Sequence, residues 1–278
     1  MLTCVWWAEQ RIEMKRLFLN WNILARAFEI EMRQNLTDGF VVFGILIQPL
    51  IVAFMALWML KGKGADNAIF VVVGSGMTGL WTTLLFNGGN SITGERGNGT
   101  LEPLVASPAS MRVVVYGKVL ANVTQSLLSM IGSYLLISLV MGYPLTLARP
   151  GLFVISLLVS VASLVSFGLI LASLFILIPD FARMVNTLEF PIYILGGFLF
   201  PIALLPGWTT PLSYILTPYW AAVALHGAAQ GTLEPLQIAG TWGIMAVFSL
   251  VYILGSGRLY RVILYKARTD ATLDIVGN

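Results

Sequence analysis

Residues 151–178 read GLFVISLLVSVASLVSFGLILASLFILI, a run without Asp, Glu, Lys, Arg or His. A helix needs about 20 apolar residues to cross roughly 30 Å of bilayer hydrocarbon, so this run is long enough to span one. The whole chain is similar: 58% of its 278 residues are hydrophobic, 10% are charged and the mean hydropathy is +0.85. Because an ordinary soluble domain carries about 25% charged residues, the sequence predicts an all-α integral membrane protein.

Other charge-poor stretches extend this pattern along residues 39–278, which we interpret as one six-helix transmembrane domain. The six spans are predicted at about 40–60, 68–93, 119–141, 151–178, 190–205 and 236–255. Residues 206–233 contain Pro206, Pro211 and Pro218, which interrupt a continuous helix. We therefore expect an outer, partly re-entrant hairpin there, which must pack on other helices or line a cavity.

The distribution of basic residues predicts how the chain lies in the membrane. Six spans put both termini on one side, together with 13 of the 16 Lys and Arg residues, and the positive-inside rule makes that side cytoplasmic. Two crossings within 190–233 would give seven spans and remove this asymmetry. The prediction is a multi-pass protein of a bacterial-type cytoplasmic (inner) membrane with cytoplasmic N- and C-termini.

Residues 1–38 hold no span and are predicted to form a cytoplasmic tail and an amphipathic interface helix. From Trp21 onwards, apolar and polar residues recur at helical spacing on two faces. The apolar face comprises Trp21, Leu24, Phe28, Met32 and Leu36, and the polar face comprises Asn22, Arg26, Glu29 and Arg33. Met14 is a second plausible start, so residues 1–13 are expected to be either an extension ahead of the true start or a loose tail.

Composition excludes several classes of function. A single cysteine, Cys4, and a single histidine, His226, are too few for a zinc or iron–sulfur site, so we expect no metal and no cofactor in this chain. We expect His226 to be a packed or solvated imidazole. The net charge of +3 comes from basic residues in short segments between spans, which indicates membrane topology and no nucleic-acid partner.

The loop at residues 94–112 is the most distinctive polar segment, and its first part reads GERGNGTLEPLVASP. The glycines allow a sharp exit from the second span. Thr100 is a suitable N-cap, Glu102 favours the helix dipole in the first turn, and Pro108 ends the helix. A short amphipathic helix is predicted, whose apolar side could enter a groove on a partner.

The string Glu95-Arg96-x-x-Gly99-Thr100-Leu101-Glu102-x-Leu104-x-x-Ser107-Pro108 after the second of six spans resembles the signature of the type-2 ABC exporter permeases. The predicted layout resembles that family along nearly the whole chain. The resemblance implies that the loop is a coupling helix that docks into a separate nucleotide-binding ATPase subunit. It also implies a second permease copy or a related permease as partner. The implied docking residues are Glu95, Arg96, Gly99, Thr100, Leu101, Glu102, Leu104, Ser107 and Pro108. Gly97 and Pro103 depart from the family pattern.

The chain has no phosphate-binding loop of its own. Gly62-Lys63 is followed by Gly64, and Gly117-Lys118 by Val119, where that motif requires Ser or Thr. We therefore predict no catalytic residue and no enzyme activity, and expect ATP and Mg to be bound by the partner ATPase.

Polar residues of the third span fall on one helix face. They are Asn122, Gln125, Ser126, Ser129 and Ser133. Two interpretations stay open: hydrogen bonding between helices, or lining of the substrate path. Asn87 and Asn90, near the inner end of the second span, have the same two interpretations.

The apolar spans favour an amphipathic drug, antibiotic or lipid-like substrate, with a polysaccharide or glycolipid as the alternative. A different class, an ion-coupled secondary transporter, usually keeps an ionisable residue inside the membrane. None is expected inside the six spans, and Glu189, Asp180 and Arg183 are expected to be solvated near the start of the fifth. We also find no acid–base pair that would indicate a membrane-embedded enzyme.

Overall fold

The computed structural model describes residues 2–43, 47–59, 65–85, 99, 111–141, 146–177, 185–198 and 200–270, and the regular elements in these ranges are helical. The α-helices in chain order are α1 (Leu2–Thr37), α2 (Gly39–Val42), α3 (Gln48–Met59), α4 (Ala65–Thr83), α5 (Met111–Met141), α6 (Pro150–Leu177), α7 (Val185–Leu195), α8 (Thr210–Ile215), α9 (Thr217–Gln230) and α10 (Pro235–Asp270). Single 3₁₀ turns at Ile202–Leu204 and Gly207–Thr209 lead into α8.

Three of the described helices are long and apolar enough to cross a bilayer. These segments are Val113–Leu139 of α5, Pro150–Leu171 of α6 and Pro235–Leu259 of α10, and they fall on the predicted third, fourth and sixth spans. The apolar helix Ile69–Thr83, within α4, is shorter. The protein is therefore a multi-pass membrane protein. The structure also extends the last helix well beyond residue 255, to Asp270.

The predicted fifth span, residues 190–205, is not one continuous helix. Helix α7 ends at Leu195, after 11 residues, and would cover only about 16 Å at 1.5 Å per residue. Gly197 takes a left-handed conformation with φ of 66°. Its N–H bonds to the carbonyl of Ile194, and the N–H of Phe198 bonds to the carbonyl of Tyr193. This is the Schellman arrangement, which ends a helix at a glycine, and it explains the difference from the prediction.

Helix α1 also differs from the prediction, because it is helical from Leu2 and not only from Trp21. It packs along α5, and Ala27, Glu31 and Asn35 face that helix and are buried. Trp21 and Leu36, which were placed on the apolar face, are exposed. The face that packs on the bundle is therefore partly polar.

Residues 206–233, the predicted outer hairpin, contain the short helices α8 and α9. Leu216, in an extended conformation, separates them, and Gly231 follows α9 in a left-handed conformation. Helix α9 lies among α4, α6 and α10, with its small residues and Leu225 buried. The core continues through α4, α6 and α10 with Met77, Trp81, Leu164 and Met245. Because α9 is covered by protein, its broken flanks are tolerated in the bundle.

Candidate functional site: a buried polar network

The contact between α1 and α5 depends on a glycine. A Cβ atom added at Gly117 would lie 2.6 Å from the backbone oxygen of Leu24 and 2.8 Å from the Cβ of Ala27. Both distances are shorter than van der Waals contact, so only glycine allows the two backbones this approach. The helices are consequently close enough for short polar side chains to meet across the interface.

An ion pair lies next to this contact. Lys118 Nζ is 3.3 Å from Glu31 Oε2, and the two side chains are only 10% and 9% exposed. Taking two charges out of water is costly, so such a pair persists only where each charge has the other as partner. Lys118 is therefore part of the interface between α1 and α5.

One turn further along both helices, buried amide side chains lie next to this ion pair. Asn35 Nδ2 donates to Asn122 Oδ1 and, at 3.0 Å, to Gln125 Oε1. Gln125 Nε2 in turn lies 3.1 Å from the sulfur of Met32. Buried amides cost free energy unless they are bonded, and these bonds join α1 to the polar face of α5.

Ser126 connects α5 to α4. Its hydroxyl lies 2.6 Å from the hydroxyl of Thr83 and 3.2 Å from the backbone oxygen of Gly79. The neighbouring residue Thr82 faces α7, where its hydroxyl donates to Glu189 Oε1 at 2.9 Å. The hydroxyl of Tyr193 also donates to Glu189 Oε1.

These contacts form two groups, one across α1, α5 and α4 and one across α4 and α7, which adjoin at the neighbouring residues Thr83 and Thr82. We call the two groups together the polar network and define it as Glu31, Asn35, Thr82, Thr83, Lys118, Asn122, Gln125, Ser126, Glu189 and Tyr193. It lies where α4 ends and α5 begins, and these two helices flank the loop that contains residues 94–108.

The structure places the predicted path residues as follows. Asn122, Gln125 and Ser126 bond within the polar network, and Ser129 is buried on the same helix. The hydroxyl of Ser133 is buried without a hydrogen-bond partner among the described residues. Asn87 and Asn90 lie outside the described residues. These contacts supply the hydrogen bonding between helices that was one of the two open interpretations.

Of the predicted docking residues, Gly99 alone lies within the described part of the chain. It is exposed and in a turn, with φ of 68°, a left-handed conformation that favours glycine. The remaining docking residues lie outside the described ranges. They are Glu95, Arg96, Thr100, Leu101, Glu102, Leu104, Ser107 and Pro108.

The expectation for Glu189 was wrong. Its side chain is not solvated but buried, with 6% of its surface exposed, because α7 turns it towards Thr82. Glu31 and Asn35 were not predicted as site residues, although they follow Ala27 at steps of four residues. That spacing marks a helix face, and it was overlooked because the apolar residues beside it dominated the pattern.

His226 is packed, one of the two states expected for it. Its ring stacks on Phe70 with centroids 3.8 Å apart, and Nε2 lies 3.2 Å from the backbone oxygen of Phe198. Within the described ranges no three His, Cys, Asp or Glu residues come together as metal ligands would. The chemistry that the described polar residues offer is hydrogen bonding and charge, carried mainly by Glu31, Lys118 and Glu189.

The sequence model of one protein family, described as ABC-2 type transporter, matches residues 20–228. The match covers three quarters of the chain and extends from α1 to α9, so it includes every residue of the polar network. No curated protein sequence matches the chain significantly.

Proposed function

Since the chain belongs to the ABC-2 type transporter family, we propose that it is the permease subunit of an exporter driven by a separate ATPase. The observation that carries the proposal is the family match along three quarters of a chain that contains no phosphate-binding loop. Permeases of this family are transport components that work with ATPase subunits and form dimers. In our proposal two such permeases, identical or related, enclose the pathway.

The docking site for the ATPase is the loop at residues 94–108. Its position between α4 and α5 supports this assignment, because both helices belong to the polar network. A movement of the loop would be passed to α1 through the bonds of Asn35 and Lys118, and to α7 through Glu189. In this proposal the network connects the two helices that flank the docking loop to α1 and α7.

We further propose that the substrate is an amphipathic drug, antibiotic or lipid-like molecule, moved out of the cytoplasm or the inner leaflet. The support is the apolar character of the bundle, in which the described polar groups mostly bond to one another. A polysaccharide or glycolipid would need many free hydrogen-bonding groups along its path. The termini and the 94–108 loop are cytoplasmic in this proposal, in a bacterial-type inner membrane.

The second candidate is an ion-coupled secondary transporter. The sequence predicted no ionisable residue inside the spans, but the structure buries Glu189, and this burial favours the second candidate. Buried ionisable residues in membrane proteins frequently mark ion pathways. The two candidates differ in their energy source, which an experiment separates directly.

The test uses proteoliposomes that contain the chain together with a partner ATPase, sought as a phosphate-loop protein among the neighbouring reading frames. Movement of a fluorescent phospholipid or a fluorescent amphipathic dye should require both ATP and the ATPase subunit. Transport driven by a proton or sodium gradient without ATP would overturn the proposal and support the second candidate.

A second measurement tests the orientation of the loop. A Ser107→Cys variant on a Cys4→Ser background should react with a membrane-impermeant maleimide in inside-out vesicles and not in intact cells. Labelling from the outside of intact cells would contradict the docking assignment.

A further inference from the structure

We propose that Glu189 and the aromatic rings beside it bind the cationic head group of the transported amphiphile, an inference that rests on the proposed function and names its substrate class. Glu189 lies in the second turn of α7, and its carboxylate turns inward onto α4.

Among the described residues, the carboxylate has hydrogen-bond donors but no cationic partner. Thr82 and Tyr193 each offer one hydroxyl, and both bond to Oε1. The ion pairs among the described residues are Arg26–Glu29, Arg33–Glu29 and Lys118–Glu31, and none includes Glu189. A buried carboxylate is stabilised by a positively charged partner, which a ligand could supply here.

Oxygen Oε2 is the group left for such a ligand. Both hydroxyl bonds go to Oε1, and within the described ranges Oε2 accepts no hydrogen bond. A positively charged ligand could therefore approach Oε2 without displacing Thr82 or Tyr193. Those two residues would hold the carboxylate in place while the ligand enters and leaves.

Aromatic rings cluster around Tyr193, whose hydroxyl bonds to this carboxylate. Phe190 and Tyr193 lie edge to face with centroids 6.0 Å apart, and Tyr193 and Phe198 are also 6.0 Å apart. Ring faces attract ammonium and other organic cations, most strongly where water is excluded. A carboxylate beside a cluster of rings suits a large organic cation better than a metal ion, which prefers several oxygen ligands.

The site lies on a helix that the bundle covers on one side only. Phe190 is 63% exposed and Ile194 is 43% exposed, whereas Glu189 and Tyr193 point inward. An amphiphile could lie with its apolar part along the outward face of α7 and its cationic group at Glu189. Thr82 is near the end of α4 that leads into the 94–108 loop, so the site lies at the end of the bundle at which export would begin.

The test is a binding experiment with the full chain in lipid nanodiscs, without an ATPase, so that it is independent of the export test. The probe is tetraphenylphosphonium, and the matched anion tetraphenylborate has the same size and opposite charge. Equilibrium dialysis measures both against empty nanodiscs. We expect saturable binding of the cation only, and at least a tenfold loss of its affinity in Glu189→Gln, which keeps the hydrogen-bond acceptor. The control Glu234→Gln, an exposed carboxylate of the outer turn, should bind like the wild type.

A measurement on the wild type covers the case in which Glu189→Gln does not fold. A hydrophobic carbodiimide should modify Glu189, as read by mass spectrometry, and tetraphenylphosphonium but not tetraphenylborate should slow that modification. Equal cation binding by the wild type and Glu189→Gln, no saturable cation binding, or no protection would overturn the proposal. Glu189 would then serve only as a hydrogen-bond acceptor for Thr82 and Tyr193. ATP-driven export could persist in each of these cases, so the two proposals fail separately.

Discussion

Lys118 on α5 forms a buried ion pair with Glu31 on α1, with Nζ 3.3 Å from Oε2. The pair joins the helix at the start of the chain to a membrane-spanning helix. Helix α1 also carries two exposed ion pairs on its opposite face. Both involve Glu29, which pairs with Arg26 and with Arg33. The two environments allow a direct comparison of buried and exposed charges within one helix.

Replacing Lys118 with Met should destabilise the protein by about 3–5 kcal/mol, because Glu31 would remain as a buried charge without its partner. Thermal unfolding in nanodiscs measures the change. The matched control is Arg33→Met, which breaks an exposed pair and should cost no more than about 1 kcal/mol. The double variant Glu31→Leu/Lys118→Met should regain much of the loss, and equal effects of the Lys118 and Arg33 variants would contradict a buried pair.

Replacing Gly117 with Ala should separate α1 from α5, because the new methyl group would meet the Leu24 carbonyl at 2.6 Å. Overpacking of this kind typically costs about 1–3 kcal/mol. Gly132→Ala on the same helix is the control, since the nearest atom there is 4.0 Å away. Unfolding midpoints of the two variants should differ clearly. A Gly117→Ala protein as stable as the control would show that the backbones do not approach so closely.

Replacing Glu102 with Lys should leave the chain in the membrane but abolish most of the substrate-stimulated ATP hydrolysis of the complex. The reversed charge would oppose the dipole at the start of the predicted coupling helix and change the surface offered to the ATPase. Deletion of residues 100–104 should act in the same way. Glu234→Lys, the same charge change in the outer turn, should leave hydrolysis unchanged. Normal stimulation in the Glu102→Lys complex would count against the docking loop.

Replacing Gly231 with Ala should destabilise the end of α9 by about 1–3 kcal/mol. Gly231 has φ of 72°, and an added Cβ would lie 2.9 Å from the Cβ of Ala148. The same corner is held by the bond from the N–H of Ala148 to the carbonyl of Ala229. Left-handed backbone and a close contact both disfavour a side chain there. The control is Gly240→Ala in α10, where an added Cβ meets nothing within 4 Å. Similar unfolding temperatures for the two variants would contradict this account.

Several features were predictable because they depend on local sequence. Residues 151–178 read as a span from composition alone, and α6 covers nearly the same residues. The polar face of α5 was also predictable, because Asn122, Gln125 and Ser126 follow helical spacing. Family membership followed from a short motif and its position after the second predicted span, and the family match agrees with it.

Other features were not predictable, because they depend on how helices turn towards one another. Helix α7 ends at Leu195 and Gly197 follows in a left-handed conformation, whereas the prediction ran a continuous span through these glycines. Glu189 looked like a solvated residue at the start of a span. It is buried because Thr82, far away in sequence, offers it a hydroxyl.

The sequence by itself determined three things: that this chain is a membrane protein, which residues form its longest spans, and to which family it belongs. The reason is that the free energy of transferring a helix into lipid is close to the sum of the contributions of its own residues. Only the tertiary structure decided that Glu31 meets Lys118 and that Glu189 turns inward. Those pairings depend on the rotation and separation of helices, which no single segment of the chain contains.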